Sequence, residues 1–165
     1  MCNTHTTDLE ASIAQCMRLA KAGAQLIRLT VPSLKEVEDL SEIHRRLREA
    51  GIDTPLVADI HFSSETAIAA AAVVDKVRIN PGNFHKDHQK AREQLARLVA
   101  VRKEHGTTLR IGLNHGSLGS RITELYGNTP LAMKEAAMEW LRMCRENDFE
   151  RIVVSLKASN TYFMV

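Results

Sequence analysis

At 165 residues, with 44% hydrophobic and 25% charged side chains, the chain is long enough for one cored domain and ordinary in composition for a globular protein. A formal charge of +2 is too small to argue for a nucleic-acid partner, and 4% aromatic residues offer few stacking platforms for single strands. No apolar run approaches the ~20 residues of a membrane helix, no signal peptide opens the chain, and three widely spaced cysteines (Cys2, Cys16, Cys144) fit free thiols in a reducing cytoplasm.

In chain order, Asn3-Thr4-His5-Thr6 reads as the frayed exit of a strand. Thr7-Asp8-Leu9-Glu10 is a capping box, predicting a helix with Ile13, Met17 and Ala20 on one face and Gly23 at its end. Ala24 to Val31 reads as a strand. Ser33 and Glu36 open a second helix, whose apolar stripe is Val37, Leu40, Ile43 and Leu47 and whose stop is Gly51. Pro55 to Phe62 is the next predicted strand, followed by an Ala-rich helix over 64–74 and a short strand from Lys76 to Asn80. Pro81-Gly82-Asn83 reads as a turn before a long helix carrying Leu95, Leu98 and Val101 and ending at Gly106. Thr108 to Asn114 is a strand, His115-Gly116-Ser117 turns into a short helix ending near Gly127, and Thr129-Pro130 caps a last helix. That helix buries Ala136, Ala137, Trp140, Leu141 and Cys144, and Arg151 to Ser159 forms the final strand.

Strict alternation of strand and helix argues for a parallel sheet with helices outside it. An open doubly wound sheet would place a Gly-rich loop after its first strand, and this chain has none. The expected fold class is therefore α/β, a parallel (β/α) TIM-type barrel. The count is short, since a complete barrel takes eight strands in about 250 residues. An incomplete barrel of about five to six of the eight units is expected, occupying 1–165 as a single partial domain. The chain also stops right after a strand, with Tyr162-Phe163-Met164-Val165 leading into no further element, so a fragment of a larger protein is expected.

Four of the predicted strands carry a cation near their C-terminal ends: Arg28, Arg78, Arg110 and Lys157. A fifth ends in Asp59 and His61. Alternation puts Arg78 with Asn80, and Arg110 with Asn114, on one face, while Val77, Ile79, Leu109, Ile111 and Leu113 fill the other. In a barrel these ends carry the chemistry. Cations gathered there would repel one another unless an anion with several oxygens offset them, so the pattern predicts a phosphate-rich small-molecule ligand.

Individual residues keep alternative roles. Asp59 serves either to neutralise an arginine across the barrel or to contact a substrate hydroxyl. Asn80 and Asn114 serve the ligand or merely cap the turns that follow them. Lys157 is an anion ligand, or a Schiff-base nucleophile if its pocket depresses its pKa. Asp59 and His61 together invite a metal site, but no third ligand follows at convincing spacing, so no metal is expected. The remaining histidines scatter without ligand spacing, and Trp140 reads as helix packing.

Four segments in order, Leu56-Val57-Ala58-Asp59-Ile60-His61-Phe62, Val77-Arg78-Ile79-Asn80-Pro81-Gly82-Asn83, Arg110-Ile111-Gly112-Leu113-Asn114-His115-Gly116-Ser117-Leu118 and Val154-Ser155-Leu156-Lys157-Ala158-Ser159, resemble the 4-hydroxy-3-methylbut-2-enyl diphosphate synthase (GcpE) family. Asn3-Thr4-His5-Thr6-Thr7-Asp8 is similar to the segment after that family's first barrel strand, and the His of Asn114-His115-Gly116 resembles the longer, three-domain form. The resemblance covers essentially the whole chain. It implies a TIM barrel that binds 2-C-methyl-D-erythritol 2,4-cyclodiphosphate and a separate 4Fe–4S domain that opens the ring reductively, within the non-mevalonate isoprenoid pathway. It further implies ferredoxin or flavodoxin as electron donor, a homodimer at full length, a cytoplasmic location, and neither nucleic acid nor membrane as partner. By the same resemblance Arg28, Arg78, Arg110 and Lys157 bind the diphosphate, Asp59, Asn80 and Asn114 surround the substrate, and His61 is a weaker candidate. The family's cluster ligands and its catalytic Glu match nothing in this chain. The expected role is half of a substrate site with no catalytic residue of its own, inactive alone. The alternative is a truncated, non-catalytic barrel fragment that only binds phosphorylated ligands.

Overall fold

The alternation of periods resolves into five parallel strands and seven helices in a computed structural model that describes residues 1–163, apart from the side chain of Tyr162. The strands are β1 (Ile27–Thr30), β2 (Leu56–Asp59), β3 (Lys76–Ile79), β4 (Thr108–Asn114) and β5 (Ile152–Lys157). They lie in one sheet in the order of the sequence, each parallel to the next. Among the described residues β1 and β5 pair with no further strand, so the sheet is open, as expected of an incomplete barrel. The helices are α1 (Leu9–Lys21), α2 (Lys35–Glu49), α3 (Ser64–Ala71), α4 (Pro81–Phe84), α5 (His88–His105), α6 (Ser120–Tyr126) and α7 (Pro130–Glu146). Helices α1, α2, α3, α5 and α7 touch in that sequence, which makes one helical layer following the strands. None of the described helices is long and apolar enough to cross a membrane.

One face of the sheet is the core. Ile27, Leu29, Leu56, Ala58, Val77, Ile79, Leu109, Ile111 and Leu113 alternate inward under the helices and meet Leu40, Ile43, Leu47, Ala67, Ala70, Leu95, Leu98, Ala136 and Trp140. Full burial of the valine, leucine and isoleucine side chains among them contributes about 1.5–3 kcal/mol each. The α2 stripe of Val37, Leu40, Ile43 and Leu47 is buried as its spacing predicts. In α7, Met143 joins the buried set and Leu141 is only half-buried, because Ala136, Trp140 and Met143 keep the closer helical spacing. The opposite face of the sheet carries the polar positions.

Several boundaries differ from the sequence reading, each for a local reason. The cap of α1 is Asp8, whose side chain accepts from Ala11 N at 3.2 Å, in place of Thr7. The first strand starts late because Ala24 N donates to Leu19 O, closing the helix end over Gly23 at φ 86°. Ser33 donates backbone N–H and hydroxyl to Glu36 Oε2, holding that carboxyl below its usual range, and α2 starts at Lys35. Beyond Asp59 only Ile60 N still reaches β3, at Arg78 O, so β2 ends before His61 and Phe62. The Pro81-Gly82-Asn83 turn is a single helical turn, with proline tolerated where the first N–H needs no partner. The N-terminal segment forms no strand, yet Cys2 N donates to Arg28 O at 2.8 Å, so it runs beside β1. Thr161–Phe163 makes a 3₁₀ turn, and Met164 and Val165, where no further element was expected, lie outside the described residues.

Candidate functional site

Parallel pairing in register brings Thr30, Asp59, Arg78, Arg110 and Val153 to one level across the sheet. Register partners on parallel strands point to the same face, so Asp59, Arg78 and Arg110 are adjacent on the face away from the helices. Arg28 enters that face two residues below Thr30, and Ser155 and Lys157 two and four residues above Val153. Together with His61, Gly112 and Asn114 they line an open cleft of about 300 Å³.

A single carboxylate organises one side of it. Asp59 is 3% exposed; its Oδ1 accepts from Arg78 Nη1 at 3.0 Å and its Oδ2 lies 3.3 Å from Arg28 Nε. His61 Nε2 stands 3.8 Å from the same Oδ1. Arg78, 7% exposed, also donates from Nη2 to Gly112 O at 3.2 Å. Of the two roles left open for Asp59, charge pairing across the sheet is the one its contacts display. Two arginines around one buried carboxylate leave a positive excess in a place where charges attract several times more strongly than in water.

The other side carries no such partner. Arg110 donates from Nε to Ser155 Oγ at 3.1 Å, and among the described residues no carboxylate pairs with Arg110 or Lys157. Asn114 and Lys157 are register partners at the top of β4 and β5. Lys157 is exposed rather than sunk in an apolar pocket, which is the wrong setting for an imine-forming lysine. Four cations against one carboxylate make a cleft suited to an anion bearing several oxygens.

Asn80 is not among the residues lining this cleft. It is buried at the top of β3, its Nδ2 donates to Ser117 Oγ at 3.0 Å, and its Oδ1 is buried without a partner. An orphaned buried acceptor is uncommon and suits a ligand hydroxyl or a water. The Asn80–Ser117 bond joins the loop after β3 to the loop after β4, and those loops touch closely. A Cβ on Gly82 would lie 1.9 Å from Ser117 O. His115 Nδ1 accepts from Ser159 N at 3.4 Å, tying the β4 loop to the β5 loop in turn.

Sequence reasoning missed Gly112 as part of the cleft, although alternation from Arg110 places it on the same face. Among the described residues no group of three His, Cys, Asp or Glu side chains is placed to hold a metal ion. The three cysteines are buried away from the cleft: Cys2 and Cys16 face each other with sulfurs 3.8 Å apart, and Cys144 lies in α7, where burial pushes its thiol up to about 11.

A family model described as the GcpE TIM-barrel domain matches residues 1–165. The chain is 46% identical to the 4-hydroxy-3-methylbut-2-en-1-yl diphosphate synthase (flavodoxin) of Parabacteroides distasonis, aligning over its whole length with 30% of that protein. It is 44% identical to the Chlorobaculum tepidum protein of the same name, covering 24% of it. It is also 40% identical to the synthase (ferredoxin) of Synechococcus sp. strain CC9605, covering 46%. The chain thus spans less than half the length of these curated relatives.

Proposed function

The chain belongs to the GcpE TIM-barrel family, and from that premise we propose that residues 1–165 are the substrate-binding part of an oxidoreductase, a 4-hydroxy-3-methylbut-2-enyl diphosphate synthase. Its substrate in this reading is 2-C-methyl-D-erythritol 2,4-cyclodiphosphate, opened reductively within non-mevalonate isoprenoid biosynthesis. The observation that carries the reading is the cleft itself, lined by Arg28, Arg78, Arg110 and Lys157 against a single carboxylate, Asp59, which pairs with only the first two. A cyclic diphosphate presents the fixed, multiply charged oxygens that such a set can grip from several strands at once.

The residues of this chain bind and orient. Arg110 and Lys157, without carboxylate partners among the described residues, take the phosphoryl oxygens. Arg28 and Arg78, held by Asp59, complete the positive wall, and Asn114 serves a hydroxyl group of the carbon skeleton, while the buried Asn80 ties the β3 loop to Ser117 behind the cleft. Holding the ring in one orientation supplies proximity to whatever reducing centre meets it. The 4Fe–4S cluster implied by the family does not fit the residues described here, because the cysteines are buried, Cys144 lies apart from the Cys2–Cys16 pair, and no third His, Cys, Asp or Glu side chain joins that pair among the described residues. We assign it to a separate domain of the full-length protein, with flavodoxin or ferredoxin as donor, on the names carried by the relatives. A homodimer and a cytoplasmic location complete the reading, the latter supported by three unbridged thiols.

The test is calorimetric titration of the cyclodiphosphate into the full-length protein and its Arg110→Ala variant. Loss of a charge-assisted hydrogen bond should weaken binding by about tenfold or more. Equal affinity in the two proteins would remove Arg110 from the site.

A further inference from the structure

Glycine inside a strand weakens it, since it has the most backbone freedom to lose and no side chain to pack. Gly112 occupies such a position in β4, two residues beyond Arg110. Its backbone does not explain it: its φ is not among the positive values found at Gly23, Gly51, Gly106, Gly119 and Gly127. The reason lies where a side chain would be. A Cβ on Gly112 would stand 2.4 Å from Arg78 Nε, 3.0 Å from Nη2 and 3.1 Å from Cζ. The guanidinium of Arg78 fills that volume.

The seat also resolves a conflict in the sheet. Arg78 and Arg110 are direct register partners on neighbouring strands, where like charges repel. Arg78 lies over Gly112, stretched between Asp59 Oδ1 on β2 and Gly112 O on β4. Arg110 turns the other way, to Ser155 on β5. We infer that Gly112 is a positioning residue of the anion site: its missing side chain is the slot that holds the Arg78 guanidinium flat between β2 and β4 and keeps it clear of Arg110. The inference rests on the diphosphate reading above and extends it to a residue that acts through the Arg78 guanidinium. A methyl group at position 112 would lift the guanidinium, break at least one of its two bonds and misplace the positive wall.

The experiment titrates inorganic pyrophosphate by calorimetry into the full-length protein and its Gly112→Ala, Arg78→Ala, Gly112→Ala/Arg78→Ala and Arg110→Ala variants, each with its melting temperature. Gly112→Ala is expected to weaken binding about tenfold, and to add nothing once Arg78 is already alanine. A glycine of merely structural importance would cost the same in both backgrounds, and that result overturns the inference. Wild-type affinity in Gly112→Ala beside weakened binding in Arg110→Ala also overturns it, while sparing the diphosphate reading. Wild-type affinity in both variants overturns the reading itself. Should Gly112→Ala fail to fold, the double variant, which removes the obstructing atoms, is expected to fold. Its failure to do so counts against the inference.

Discussion

Arg102 is the least expected residue of the core. It lies on the buried side of α5 with Leu95, Leu98 and Val99, fully enclosed, its guanidinium carbon 4.2 Å above the ring of Phe149. Nη2 donates to Thr107 O, and Thr107 Oγ1 donates to Ala71 O at 2.6 Å. Nε and Nη1 are buried without partners, and burial disfavours the charged form. Two orphaned donors cost about 1–3 kcal/mol each. The cation–π contact and the one charge-assisted bond return a similar amount, about 2–5 kcal/mol together. Arg102→Met should therefore leave stability within about 1 kcal/mol of wild type or raise it, as replacements of buried charges by similar volumes often do. Urea unfolding checks this, and a loss above about 3 kcal/mol would mean that the two nitrogens have partners after all. None of this was legible from the sequence. The apolar spacing of α5 pointed to Val101, which is only half-buried, and an arginine followed by Lys103 and Glu104 reads as solvent-facing.

At the scale of elements, caps and stripes were readable because their causes lie within one turn. Thr129, read as a cap, accepts from Ala132 N three residues on; Ser63 accepting from Thr66 N and Asp87 from Lys90 N are caps of the same span that the sequence reading did not single out. Strand ends were read too long, since a strand ends where its neighbour stops pairing, and the neighbour is distant in sequence. The clasp between the β3 and β4 loops is of the same distant kind. Gly82 faces the backbone of Ser117 and Gly119, with no flexible side chain in between to give way. Gly82→Ala should cost about 2–3 kcal/mol, at the upper end for overpacking, and should loosen the Asn80–Ser117 bond. Denaturant midpoints for this variant against wild type measure the cost. An unchanged midpoint would show that the two loops separate freely.

For the molecule as a whole, the consequence of an open sheet is an unsatisfied edge. On β5, Val154 and Leu156 are 37% and 42% exposed, although they are the register partners of the buried Ile111 and Leu113. Unpaired strand edges with apolar faces template further pairing. Residues 1–165 expressed by themselves should therefore associate in a concentration-dependent way. Sedimentation of a monodisperse monomer at tens of micromolar would contradict that.

By itself the sequence determined the alternation of strands and helices, the α/β class, the buried stripes and the set of cations on one sheet face. Periods of two and 3.6 residues are properties of the local chain. Four ordered segments were enough to carry the family resemblance. Only the tertiary structure decided how the charges are shared: Asp59 between Arg28 and Arg78, Ser155 with Arg110, Gly112 beneath a guanidinium, Asn80 turned to Ser117. Those pairings depend on the stagger between strands separated by up to 45 residues. That stagger is set by how the helices pack outside the sheet, which no single stretch of the chain encodes.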